Sequence, residues 1–170
     1  KDRASFILSG RRSYADVLAT STALIEAGTS LYFYDLNAKI NYRINEKNRI
    51  YLSAYTGKDD FGFDVFSTDW GNITTTLRWN HLYGSRLFSN TTLIYSNYVY
   101  GFNIGEDHQM SSGIEDFGFK EDFSFFLNPN NTMKFGLSST YHTFNPGRLT
   151  TSGDGGEFET ILEEKNALES

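Results

Sequence analysis

The sequence predicts an all-β fold, an antiparallel up-and-down meander of about seven to eight long strands that forms part of a transmembrane β-barrel. Three observations carry this expectation. Several segments alternate apolar and polar residues in strict period two, over lengths beyond those of ordinary globular strands. The connections between them alternate between short turns and longer polar stretches. Aromatic residues make up 16% of the chain while prolines number two, a composition suited to strands.

Taken in order, Ala4–Ser13 reads as a strand carrying Phe6, Leu8 and the basic pair Arg11-Arg12. Tyr14–Ala27 changes to a helical composition and closes at Gly28, which predicts a short helix within a loop. Leu31–Ile44 is the clearest strand. Tyr32, Tyr34, Leu36, Ala38, Ile40, Tyr42 and Ile44 fall on one face, and Asp35, Asn37, Lys39, Asn41 and Arg43 on the other, with Leu31 and Phe33 at its upper end. At about 3.3 Å per residue and ~45° tilt, Tyr34 and Tyr42 stand ~19 Å apart along a membrane normal. Two aromatic girdles around an apolar band of ~25 Å have nearly that spacing.

The pattern recurs. Ile73, Thr75, Leu77 and Trp79 oppose Asn72, Thr74, Thr76, Arg78 and Asn80. Phe117, Phe119, Phe123, Phe125 and Leu127 share a face that Glu121 interrupts. Met133, Phe135, Leu137 and Tyr141 oppose Lys134, Gly136, Ser138, Thr140 and His142. Arg49–Gly57 and Leu87–Phe102 are strand-like, but periodicity alone leaves open which side faces outward. Another strand starts at Glu157. Asn45–Asn48, Gly84–Arg86 and Asn128–Asn131 read as tight hairpin turns, and the stretches near 58–70, 103–113 and 146–157 as longer loops. Short turns on one side and long loops on the other are the topology of an outer-membrane barrel, with the short ones in the periplasm.

Composition excludes several classes. A net charge of −6 argues against a nucleic-acid partner. Without cysteine there is neither a disulfide framework nor thiol chemistry. No apolar run approaches the ~20 residues of a spanning helix, and low mean hydropathy says nothing against alternating strands. The chain starts at Lys1 and stops at Ser170 in a charged stretch, so its length reads as a cut, and a signal peptide could not show in it.

Ser5–Tyr14 (SFILSGRRSY), Tyr32–Ile40, Trp70–Asn72 with Thr76–His81, Leu87–Tyr98 and Tyr141–Gly147 together resemble ordered stretches of the barrel in TonB-dependent outer-membrane receptors of the Bacteroidetes type. The resemblance implies a 22-stranded barrel of which residues 1–170 are a partial domain, with a plug domain and the remaining strands elsewhere. It also implies localisation in the outer membrane of a Gram-negative bacterium and contact with its lipid. A plug domain and the TonB complex would then be partners, and the cargo a small scarce nutrient such as a siderophore, vitamin, glycan or peptide.

Among candidate residues, Lys39, Arg43, Arg78 and Lys134 lie on polar faces and would point into the lumen, toward a substrate or the plug. The blander alternative is a solvated wall whose cations pair with Asp35 and its neighbours. Asp59, Asp60, Asp64 and Asp69 form an acidic loop with the hard oxygen donors calcium prefers, but their spacing matches no EF-hand, which favours a solvated loop. Arg11 and Arg12, as strand neighbours, point to opposite faces and cannot share one task, whether lipopolysaccharide phosphate or the plug. Tyr32, Tyr42 and Trp79 belong at the lipid headgroups. His81, His108 and His142 are far apart, no metal-ligand spacing occurs, and no enzyme or cofactor is expected. Two further classes compete with an importer: a passive pore or adhesin, and a soluble β-sandwich or lipocalin-like module.

Overall fold

A computed structural model describes residues 3–15, 17, 29–63, 65–105, 108–153 and 156–170. The helix expected over Tyr14–Ala27 falls almost wholly outside the described residues. The strands are β1 (Ala4–Arg12), β2 (Ser30–Arg43), β3 (Asn48–Phe63), β4 (Phe66–Leu82), β5 (Leu87–Ile104), β6 (His108–Asn128), β7 (Asn131–Gly153), β8 (Gly156–Ile161) and β9 (Lys165–Glu169). They form one open antiparallel meander in sequence order, with β9 also beside β7.

β8 and β9 occupy a single strand position. Ile161 faces Arg148 and Lys165 faces Phe144, so both keep one register along β7. Residues 162–164 interrupt them opposite Asn145, Pro146 and Gly147, where proline has no N–H to donate. The β6 side bulges at the same place, with Pro146 and Gly147 opposing Ser112 alone. The Ser112 hydroxyl donates to the Asn145 carbonyl at 3.0 Å, and Gly147 takes φ +153, where a side chain is disfavoured.

Register joins the separately read faces into one. Phe6, Ile40, Leu52, Leu77, Leu93 and Phe119 stand side by side across six strands. The next row, on the opposite face, is Ile7, Lys39, Ser53, Thr76, Ile94 and Gly118. The orientations left open for β3 and β5 are thereby settled: Ile50, Leu52 and Leu93 join the apolar face, and Arg49, Tyr51 and Thr92 the polar one.

Among the described residues no second layer packs on either face. Among the described residues no apolar side chain is buried, and the only buried polar side chains are Ser89, Thr92 and Ser124. The accessible surface is 12236 Å², against about 8,500 Å² for a folded soluble monomer of this mass. This arrangement is not that of a β-sandwich, whose two sheets bury a common core.

The short turns match the sequence reading, and two share one device. Asn45 Oδ1 accepts from the Lys47 N–H and from Asn48 Nδ2, both at 2.9 Å. Asn128 Oδ1 accepts from the Asn130 N–H at 3.0 Å and from Asn131 Nδ2 at 2.9 Å. Each is an Asx turn, in which the side chain supplies the acceptor that bends the backbone.

The other end corrects the sequence reading. The expected loops near 58–70, 103–113 and 146–157 are mostly paired strand: β3 runs to Phe63, β4 starts at Phe66, β6 at His108, and β7 reaches Gly153. Gly105, at φ +63, makes the β5–β6 reversal, donating its N–H to the Val65 carbonyl at 2.5 Å. Backbone pairing tolerates Gly and Asp, so the ladder outlasts the hydropathy alternation that reveals it. From β3 to β8 the asymmetry between the two ends is therefore one of strand overhang, while the β1–β2 connection at this end spans residues 13–29.

Candidate functional site

The apolar face has a defined lower edge. Near the short turns, Trp79, His81, Tyr83, Phe123 and Phe135 form a chain of ring contacts with centroid separations of 4.4–6.5 Å. Asn48 Oδ1 accepts from Trp79 Nε1 at 3.0 Å and lies 2.7 Å from His81 Nδ1, anchoring the polar edges of both rings. Tyr42, Ile50 and Trp79 share one row, and Tyr34 stands eight residues above Tyr42 on β2.

Beyond Tyr34 the two faces exchange character. The formerly apolar face carries Lys58, Asp60 and Asp69, with ion pairs Lys58–Asp69 at 3.2 Å and Arg148–Glu159 at 3.0 Å. The formerly polar face carries Phe33, Trp70 and Tyr100 in one row, and Phe61 and Phe102 in the next. Phe66 packs edge-on to Phe102 at 5.1 Å and to Phe61 at 6.3 Å. Leu31 and Phe33 were the one sequence hint of this reversal.

All four cations singled out from the sequence lie on the polar face, spread over β2, β4 and β7. Lys39 stands between Ile7 and Ser53, Arg78 between Tyr51 and Thr92, Arg43 opposite Arg49, and Lys134 opposite Ser124. They do not converge on one point. Asp35 is not their partner, because it pairs with Arg11 one strand away.

Register adds residues that the sequence reading missed. Arg3 accepts the Arg43 N–H on its carbonyl at 2.7 Å, continuing the β1–β2 pairing, so Arg3, Arg43 and Arg49 stand in one row on adjacent strands. Lys120 lies on the same face, across Thr92 from Arg78. The Arg43–Arg49 pairing was legible in principle, since a tight turn at Asn45–Asn48 leaves those residues facing each other. Beside them a concavity of about 570 Å³ is lined by Arg43, Lys47, Asn48, Arg49, Tyr51 and Asn80, among others. On the polar face of β1–β7 in this half, Asp122 is the only carboxylate, and it already pairs with Lys120 at 3.3 Å. Asn41 Oδ1, in the row of Tyr51 and Arg78, is buried without a donor.

The expected acidic loop is not a loop: Asp59 and Asp60 belong to β3 and Asp69 to β4, while Asp64 lies outside the described residues. Asp60 and Asp69 face each other, and Asp69 is held by Lys58. Among the described residues no group of three or more acidic, histidine or cysteine side chains is placed to hold a metal ion.

The three histidines stay apart. His142 alone meets two carboxylates, Asp116 at 2.7 Å and Glu169 at 3.5 Å, and its ring stacks on Phe144. No family model matches the chain, and neither the curated proteins nor the solved structures yield a match.

Proposed function

We propose that this chain is a stretch of the wall of an outer-membrane β-barrel, within a TonB-dependent receptor that imports a scarce nutrient. One observation carries the barrel reading: a single-layer sheet with one predominantly apolar band, interrupted by Glu121, and among the described residues no second layer to cover it. Lipid is the solvent that such a band matches, and a barrel is the sheet geometry that lipid permits. The exchange of character above Tyr34 supports it. Outside the bilayer the outward face meets water and turns polar, while the inward face becomes an aromatic vestibule in which a ligand or a plug can rest. Energised uptake rests on the sequence resemblance alone.

Single-cysteine variants test the barrel reading. In the full-length protein reconstituted with brominated lipids, fluorophores at Leu77, Leu93 and Phe119 should be strongly quenched, and those at Thr76, Thr92 and Gly118 should not. Equal quenching on both faces would end the reading. Importer and passive pore separate by uptake: import should stop when TonB is deleted or the proton-motive force collapsed, whereas a pore would keep conducting.

A further inference from the structure

We infer that the Arg3–Arg43–Arg49 row is an oxyanion-binding site on the polar face near the short turns, taking phosphate or carboxylate groups. Like charges directly opposite in a ladder repel each other, and here three guanidiniums stand on successive strands. Several charges elsewhere in the sheet are matched: Arg11 with Asp35, Lys58 with Asp69, Lys120 with Asp122, Arg148 with Glu159, and His142 with Asp116. Lys39, Arg78 and Lys134 stand singly among neutral neighbours, and only the arginine row sets cations directly opposite one another. Among the described residues no carboxylate lies within ion-pair distance of Arg3, Arg43 or Arg49. The one polar contact recorded for their guanidiniums is a 3.4 Å hydrogen bond from Arg49 to the Tyr51 hydroxyl.

The surroundings favour a ligand over bare water. The neighbouring concavity of about 570 Å³ suits a small molecule. Lys47 adds a further cation at its rim, and Asn45, Asn48 and Asn80 line it, the Asn48 and Asn80 amides already donating to Asn45 and Asn90, with Glu46 the single acidic lining residue. Guanidinium forks bind oxyanions through paired N–H donors, so a multiply charged oxyanion would relieve the repulsion and satisfy several donors together. The inference rests on the polar face lining the barrel lumen. The oxyanion then comes either from a free solute or from an acidic segment of the protein that fills the lumen.

The test uses the full-length protein in detergent at low ionic strength, with inorganic pyrophosphate as the probe. Calorimetric titration should show binding that weakens at least tenfold in Arg43→Gln and in Arg49→Gln, and is unchanged in Arg11→Gln. That outcome assigns the site to a free oxyanion. A spin label at Asn80→Cys on a cysteine-free background covers the other source: immobilised in the parent and released by Arg49→Gln, with no pyrophosphate binding, it assigns the site to an acidic segment. No binding and no change in label mobility overturns the inference. The lipid-quenching pattern of the apolar face is read independently, so failure of this site and failure of the barrel reading are told apart.

Discussion

At the residue scale, each side chain's position relative to the two faces decides what a substitution does. Leu77 lies mid-band on the apolar face between Leu52 and Leu93, while its neighbour Thr76 lies on the polar face. Leu77→Arg should destabilise the bilayer-folded protein by about 2–4 kcal/mol, and Thr76→Arg should change it by less than about 0.5 kcal/mol. Urea titration of the full-length protein in lipid vesicles reads both, and equal losses would contradict the face assignment. Gly136 is a tighter case. A Cβ there would overlap the Glu121 carbonyl oxygen, which is backbone and cannot swing away. Gly136→Ala should therefore cost about 1–3 kcal/mol in the same titration. Glu121 itself remains on the apolar face beside Thr91 and Leu137, and nothing in the structure explains it.

At the element scale, hairpins are specified by their ends. The two Asn-x-x-Asn turns use one side-chain oxygen to accept two bonds, so Asn45→Ala and Asn128→Ala should each lose about 1 kcal/mol per hydrogen bond removed. Refolding stability of the two single variants and the double variant measures this, and the two losses should add because the turns are on separate hairpins. The β7 irregularity is a second specification. Pro146 withholds a donor, Gly147 takes φ +153 and Ser112 covers the stranded carbonyl, all within one step of the ladder. Gly147→Ala should destabilise by about 1–3 kcal/mol, the scale of strain for a side chain in such a conformation. Strands lengthen from 14 residues in β2 to 23 in β7. At about 3.3 Å per residue, a β7-length strand exceeds the apolar band of ~25 Å more than twofold even when tilted.

At the scale of the whole molecule, the register contains the tilt. The short-turn centres at residue 46, residue 85 and residues 129–130 lie about six, eight and ten residues beyond Ile40, Leu77 and Phe119, which share one row. One residue of stagger per strand, at ~3.3 Å against ~4.8 Å between strands, inclines the strands by about 35° if the turns share a plane. β1 and the β8–β9 line leave open edges whose N–H and C=O groups lipid cannot satisfy. Residues 1–170 expressed alone should give no heat-modifiable monomer in detergent, whereas the full-length protein should. A heat-modifiable monomer from this stretch alone, seen as a shift on unboiled gel electrophoresis, would mean that the edges close on each other.

The sequence by itself determined the all-β class, four of the apolar faces and the positions of the short turns. Those signals are local: period-two alternation and turn chemistry are written within a few residues of each other. Where both faces of a strand mix polar and apolar residues, as with Ile94, Tyr98, Thr91 and Asn97 on β5, periodicity has no contrast to report. Only pairing with β4 and β6 decided which side of β5 joins the apolar band. The same holds beyond Tyr34, where the faces exchange character and backbone pairing continues through Gly and Asp that read as loop. Arg3's place in the arginine row was equally out of reach, because it reaches Arg43 and Arg49 only when β1 aligns with β2 across a long connection. Alternation is a property of one strand; register is a property of two, and the candidate site is built from register.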